Sequence, residues 1–393
     1  MKKIKYRFTW VEIVIIIIAS AILASFSTSL IMYKSYSFNL NHKSVYIDQD
    51  LNNFISAYST ITEKYYQKVD REELINAAIK GMTSNLGERY TTYLSEAEAA
   101  ALEEQLVGEY QGIGVQITDG NVVEKVFANS PAQKVGLKVE DIIMKVNDQD
   151  VTQMTSIELA TLIKGMNNKK FDLTIKRDDK LQTFELKTEM LNIPTVESQV
   201  FDVDNQQIGY LQIGTFSNTA ASQVKNSLTK LETTGIDSLI IDLRYNSGGY
   251  LDAAEQIANI FLEKEQIIYY LKDKSGITVY KDSTKESRKY QIVILQNESS
   301  ASASEVLAGA LKDSYGATIV GTKSFGKGKV QQTEKLKDGS MIKYTTAEWL
   351  RPNKKGIDGL GINPDYKINI EYDKEKGTII DTQLEKAKAI LAK

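Results

Sequence analysis

No charged residue occurs between Glu12 and Lys34, and the 21 positions from Ile13 to Tyr33 would make a helix of roughly 31 Å, enough to cross the hydrocarbon core of a bilayer. Lys2, Lys3, Lys5 and Arg7 precede this run, so the positive-inside bias leaves residues 1–12 as a cytoplasmic tail. The 360 residues from Lys34 onward are then expected outside. Ala19-Ser20-Ala21 offers the small-x-small pattern of a cleavage site, yet the apolar character continues past it to Met32. An uncleaved single-pass anchor in the cell membrane is the expectation, with the folded part outside, as on a bacterial surface.

An exported chain commonly draws stability from disulfides, but this one has no cysteine. Its cores must form by burial alone, which 393 residues allow in two or three domains. The same count, with a single histidine, excludes thiolate nucleophiles, cysteine-ligated zinc and multi-histidine metal centres. His42 lies in the polar stretch after the apolar run and reads as a solvated linker residue. An enzyme of this composition would take lysine, carboxylate or tyrosine as its base, and no metal or other cofactor is expected. The formal charge of −3 provides no basic field for nucleic acid.

Hydrophobic periodicity divides the exported part. From Val45 to about Glu104, Leu51, Phe54, Ile55, Tyr58 and Ile61 recur at helical spacing, which predicts two or three short helices. Between Gly108 and Leu186, short β-rich runs such as 114–118 and 171–176 alternate with Gly, Asn and Asp turns, as in a small β-rich domain. From Ile193 on, apolar runs (208–213, 238–243, 291–295, 318–320) alternate with helical stretches around 220–231, 251–261 and 304–312, the pattern of an α/β core. Thr382 to Lys393 reads as an exposed helix. The expected boundaries are a tail over 1–12, an anchor over 13–33, a linker over 34–44, a helical segment over 45–107, the β-rich domain over 108–188, the α/β core over 189–375 and a C-terminal helix over 376–393.

Within the β-rich domain, Gly112-Ile113-Gly114 stands ahead of a strand, where bare backbone N–H groups can turn toward one anion. Ser130-Pro131-Ala132, Val135-Gly136-Leu137 and Glu140 to Asn147 follow, and together these segments resemble a PDZ domain. That resemblance implies capture of an extended peptide C-terminus as an added strand, its carboxylate held at Gly112, Ile113 and Gly114. The groove's second wall would be a helix opened by a Thr155/Glu158 capping box.

Two segments of the α/β core could carry chemistry. Ser300, Ser302 and Ser304 fall where a strand turns into a helix, whose free N–H groups can stabilise an oxyanion. Ser302 with Glu305 also fits a capping box, which requires no chemistry. Gly321 to Lys327 imitates a phosphate-binding loop, but Gly328 stands where Ser or Thr should hold Mg²⁺, and a strand pattern follows in place of the required helix.

Taken in order, Ser300-Ala301-Ser302-Ala303-Ser304-Glu305, then Phe325-Gly326-Lys327-Gly328, together with 242–249 (Asp-Leu-Arg-Tyr-Asn-Ser-Gly-Gly) and 358–365 (Asp-Gly-Leu-Gly-Ile-Asn-Pro-Asp), resemble the carboxy-terminal processing, or tail-specific, serine proteases. The similarity covers about residues 45 to 375; it departs at Ser247, where the family often carries proline. It implies a mixed α/β core of the ClpP/crotonase-like ββα kind, with the PDZ domain inserted. It further implies Ser302 as nucleophile, Lys327 as general base and Gln331 as the residue that positions the lysine. The backbone N–H groups of Ala303 and Gly248 would form the oxyanion hole, Gly249 being the alternative, and Asp313 would be structural. Partners implied are protein or peptide substrates with accessible C-termini, the membrane through residues 13–33, and a homodimer.

Overall fold

The computed structural model describes residues 49–373 and 378–392. The tail, the anchor, the linker and His42 lie outside the described residues, and among those described no helix is long and apolar enough to cross a membrane. The chain divides into two compact units at Ala77/Ala78. In the first, the described part is helical: Gln49–Lys64, then the start of Arg71–Ser84.

The second unit is built on a six-stranded sheet ordered Val196–Val203, Gln206–Ile213, Ser238–Asp242, Gln291–Gln296, Thr318–Gly321, Tyr366–Lys367. The first two strands pair antiparallel and the rest parallel. Ser238–Asp242 is buried at every position, which is why it reads as a continuous apolar run. The two-residue side-chain period sorts its residues between two cores. Leu239, Ile241, Ile292 and Ile294 face helices Ala220–Thr233, Leu251–Phe261 and Ala303–Ala310. Ile240, Val293 and Leu295 face the opposite side, where Ala387 and Leu391 of helix Thr382–Leu391 pack. That C-terminal helix, read from sequence as exposed, is therefore half sunk into the sheet, burying Gln383, Ala387 and Leu391 along one stripe.

A second sheet has Met341–Leu350 as its hub, pairing with Thr92–Leu94, Ile267–Asp273 and Lys329–Lys335. The β-rich domain buries its own core, including Ile143, Leu159, Leu173 and Ile175, between short sheets and helix Ser156–Lys164. The Thr155/Glu158 capping box is present there. Arg177 and Lys180 close a hairpin through Asp178 and Asp179, both at positive φ (48° and 59°), as a two-residue turn between twisted strands requires.

Candidate active site

Strand Gln291–Gln296 delivers the chain to the turn Asn297 to Ser302, and helix Ala303–Ala310 begins immediately after. The three serines of this turn are not equivalent. Ser300 Oγ donates to Leu243 O (2.8 Å) and accepts from Asn297 N–H (2.9 Å), and Ser304 Oγ donates to Asn246 O (2.8 Å); both side chains are buried. Ser302 instead lines a cleft of about 620 Å³, its backbone N–H capped by Glu305. Its backbone is held at φ 56°, ψ −117°, a conformation that costs a non-glycine residue about 1–3 kcal/mol and persists only where the surroundings impose it.

Those surroundings centre on Glu305, which is fully buried. Its Oε2 accepts from the N–H groups of Ser302 and Lys327, each at 2.9 Å, and its Oε1 accepts from Gly326 N–H (2.7 Å) and Ser324 Oγ (2.6 Å). One carboxylate thus ties the serine turn to the lysine loop. Burial pushes its pKa up against these four donors. The lysine loop is also wrapped by residues 358–365: Gly326 (φ 89°) leaves no room for a Cβ beside the backbone of Leu360 and Gly361, and Gly328 none beside Asp358. Trp349, buried, donates its indole N–H to Lys327 O (3.0 Å).

The Lys327 side chain enters the same cleft, its amine 5.2 Å from the centre of the Tyr90 ring. Burial and then the nearby Lys343 lower its pKa from the ordinary lysine value, with Glu305 and Glu88 acting in the other direction. Gln331 lines the cleft from strand Lys329–Lys335, at a bulge between Val330 and Gln331 that re-aims the strand. Its Nε2 donates to Thr345 Oγ1 at 3.4 Å.

Gly248 and Gly249 also line the cleft. A Cβ on Gly248 (φ 108°) would stand 2.9 Å from Ser302 Cβ and 3.1 Å from Ala303 N, so its backbone packs directly against the serine turn. The Gly248 N–H here donates to Asn246 Oδ1 (2.8 Å). Asn246, also buried, fixes the loop by donating to Ile213 O (2.7 Å) and by accepting at its own carbonyl from Ala301 N–H (3.1 Å). Ala303 supplies the first amide of the helix. Asp313 pairs with Arg351 at 2.5 Å.

Gly112, Ile113 and Gly114 lie elsewhere, at a groove of about 280 Å³ between Val115–Ile117 and helix Ser156–Lys164. Ile113, Ile157, Ala160 and Ile163 give it an apolar lining. Gly114 (φ 82°) has no space for a side chain, since a Cβ would fall 2.1 Å from Ser130 Cβ. Sequence reasoning brought Ser302, Lys327, Gln331 and Gly248 to one cleft but missed Tyr90, Asn246, Thr345 and Trp349, and saw Glu305 only as a cap. Among the described residues, no cluster of His, Asp or Glu could hold a metal ion.

Three family descriptions match the chain: peptidase family S41 over residues 207–368, the activating protease CtpB N-terminal domain over 26–98, and the PDZ domain over 110–188. A Staphylococcus aureus protein described as "Probable CtpA-like serine protease" is 35% identical over 326 residues, covering 81% of this chain and 65% of that protein. The chain thus spans slightly under two thirds of that relative. A protein of the same description from Staphylococcus saprophyticus is 33% identical over 362 residues, covering 91% of this chain and 72% of that one. The solved structure of a photosystem II D1 C-terminal processing protease superposes with a TM-score of 0.50 at 26% identity, covering 88% of this chain and 94% of that one. With its serine turn, its lysine loop and a PDZ domain set ahead of them, the chain belongs to the S41 family of C-terminal processing proteases.

Proposed function

We propose that this protein is a membrane-anchored serine endopeptidase that captures protein C-termini in its PDZ groove and cleaves exported proteins near that end. The observation that carries the reading is the division of labour in the serine turn: Ser300 and Ser304 spend their hydroxyls on buried carbonyls, while Ser302 presents its own to the cleft that Lys327 enters.

In this mechanism the neutral Lys327 amine takes the Ser302 proton as Oγ attacks the scissile carbonyl, then returns it to the leaving amine. A lysine can do so only if deprotonated, which is the direction in which burial and Lys343 move it. Gln331 orients the amine without adding a charge that would hold the proton. The oxyanion forms against Ala303 N–H and Gly248 N–H, the latter exchanging Asn246 Oδ1 for the substrate oxygen. Apolar walls from Leu106, Leu251, Val306 and Trp349 suit an extended, unfolded segment.

The PDZ domain also gates the cleft in this reading. Helix Glu96–Val107 carries Glu104, paired with Lys164 at the groove (2.7 Å), and Leu102 and Leu106, which line the cleft. A tail seated in the groove would act on that shared helix. Deleting residues 108–188 should change the rate on a short peptide, and an unchanged rate would leave the domain with recruitment alone. Proteolysis itself is tested with the full chain and an unfolded protein ending in apolar residues, EDTA present. Wild type should cut, whereas folded Ser302→Ala and Lys327→Ala should not; cutting by Ser302→Ala would discard the assignment.

A further inference from the structure

The turn Glu88 to Thr91 lies beside the lysine and has so far been given no role. Glu88 is held there by the backbone: its Oε2 accepts from Tyr90 N–H (3.0 Å) and its Oε1 from Thr91 N–H (2.7 Å). The same Oε1 accepts from Thr345 Oγ1 at 3.0 Å, a contact between residues 257 positions apart. Thr345 is fixed in turn, its N–H donating to Thr91 Oγ1 (3.1 Å), and its hydroxyl receives Gln331 Nε2.

The direction of this chain of bonds follows from valence. A carboxylate can only accept, so Thr345 must spend its one hydroxyl proton on Glu88. Its oxygen is then left as an acceptor, which selects the NH₂ end of Gln331. The Gln331 carbonyl, at the other end of the amide, is thereby the end free to accept a proton from the Lys327 amine. An amine that donates to that carbonyl keeps its lone pair for the serine hydroxyl. The 3.4 Å link lies at the long end for an N–H···O bond.

We propose that Glu88 is a positioning residue for Lys327, setting through Thr345 the orientation of the Gln331 amide that aims the amine at Ser302. The inference rests on Lys327 being the base. Glu88 acts a second way through charge. Burial tends to raise its pKa, but the donors Thr91, Tyr90 and Thr345 outweigh this and keep it below the usual range, so it stays ionised. Its charge favours the ammonium form of Lys327, as does that of Glu305, against burial and Lys343. Arg89 also stands here, over the Tyr90 ring at 5.2 Å, and Glu103, Lys329 and Glu334 are further charged residues of the cleft.

The test uses the full chain and the variants Glu88→Gln, Thr345→Val and Thr345→Ser, with two readouts. One is the pH dependence of kcat and KM. The other is the rate of trace acetylation of the Lys327 amine against pH, read by mass spectrometry, which needs no proteolysis. Glu88→Gln should lower kcat roughly ten- to a hundredfold, the scale of a misplaced catalytic group, and move both titrations to lower pH. Thr345→Val keeps the charge, so it should lower kcat with KM and the titrations unmoved; Thr345→Ser should restore kcat. A Lys327 titration unmoved by Glu88→Gln, or wild-type kcat in Thr345→Val, would overturn the proposal. If the wild type cuts nothing, the acetylation titration still reads Glu88's influence on the amine, so the two failures are distinguishable.

Discussion

Replacing Glu305 by glutamine changes one atom of the clamp that holds serine and lysine together, and its consequence can be worked from the bonds. The amide keeps one acceptor, best placed with the N–H groups of Ser302 and Lys327. The NH₂ then faces Ser324 Oγ, a hydroxyl that can accept, and Gly326 N–H, donor against donor. A buried N–H left without a partner costs about 1–3 kcal/mol. A neutral amide is cheaper to bury than a carboxylate, which returns part of this and leaves an expected loss of about 1–2 kcal/mol. At about 2 °C per kcal/mol for a domain of this size, Tm should fall by about 2–4 °C. Activity should fall further than stability, because the lysine loop is loosened at Gly326, next to Lys327; about a hundredfold in kcat is the scale of an ångström-sized misalignment. Calorimetry and steady-state proteolysis at a temperature where the variant is folded read the two effects separately. A Glu305→Gln protein with wild-type Tm and kcat within threefold would refute the clamp.

Three further outcomes are expected. Lys343→Gln removes a cation that lowers the Lys327 pKa, so the acid limb of kcat/KM should move to higher pH; the active form is the neutral amine, and a limb that stays in place or moves down contradicts the assignment of the base. Gly248→Ala puts a methyl 2.9 Å from Ser302 Cβ and 3.1 Å from Ala303 N at φ 108°, and should cut kcat at least about tenfold, as loss of an oxyanion donor does, while the PDZ groove still binds tail peptide. Gly114→Ala drives a Cβ into Ser130 and should abolish binding of a fluorescent apolar-tailed peptide, measured by anisotropy; retained affinity would remove the Gly112–Gly114 loop from the carboxylate site.

Much of the core could be read from the sequence because a parallel sheet buried on both faces writes itself as apolar runs, as at Ser238–Asp242 and Gln291–Gln296. Met341–Leu350 could not, since its side chains are mostly half-buried and its Lys, Tyr, Thr and Glu mask any alternation. The C-terminal helix misled for a related reason: its buried stripe is Gln383, Ala387 and Leu391, two of which carry little hydrophobic signal. At the site, residue type alone could not choose among Ser300, Ser302 and Ser304; the destination of each hydroxyl does. Glu88 and Thr345 left no trace, because a bond between residues 257 positions apart has no local pattern.

The proposed dyad is most directly tested by treating the full-length protein with a fluorophosphonate, whose phosphorus is attacked by an activated serine oxygen with loss of fluoride, and mapping the adduct by mass spectrometry. Modification confined to Ser302, and lost in Lys327→Ala while that variant remains folded, is the expected result. An adduct on Ser300 or Ser304, or undiminished labelling of Ser302 without Lys327, would contradict it.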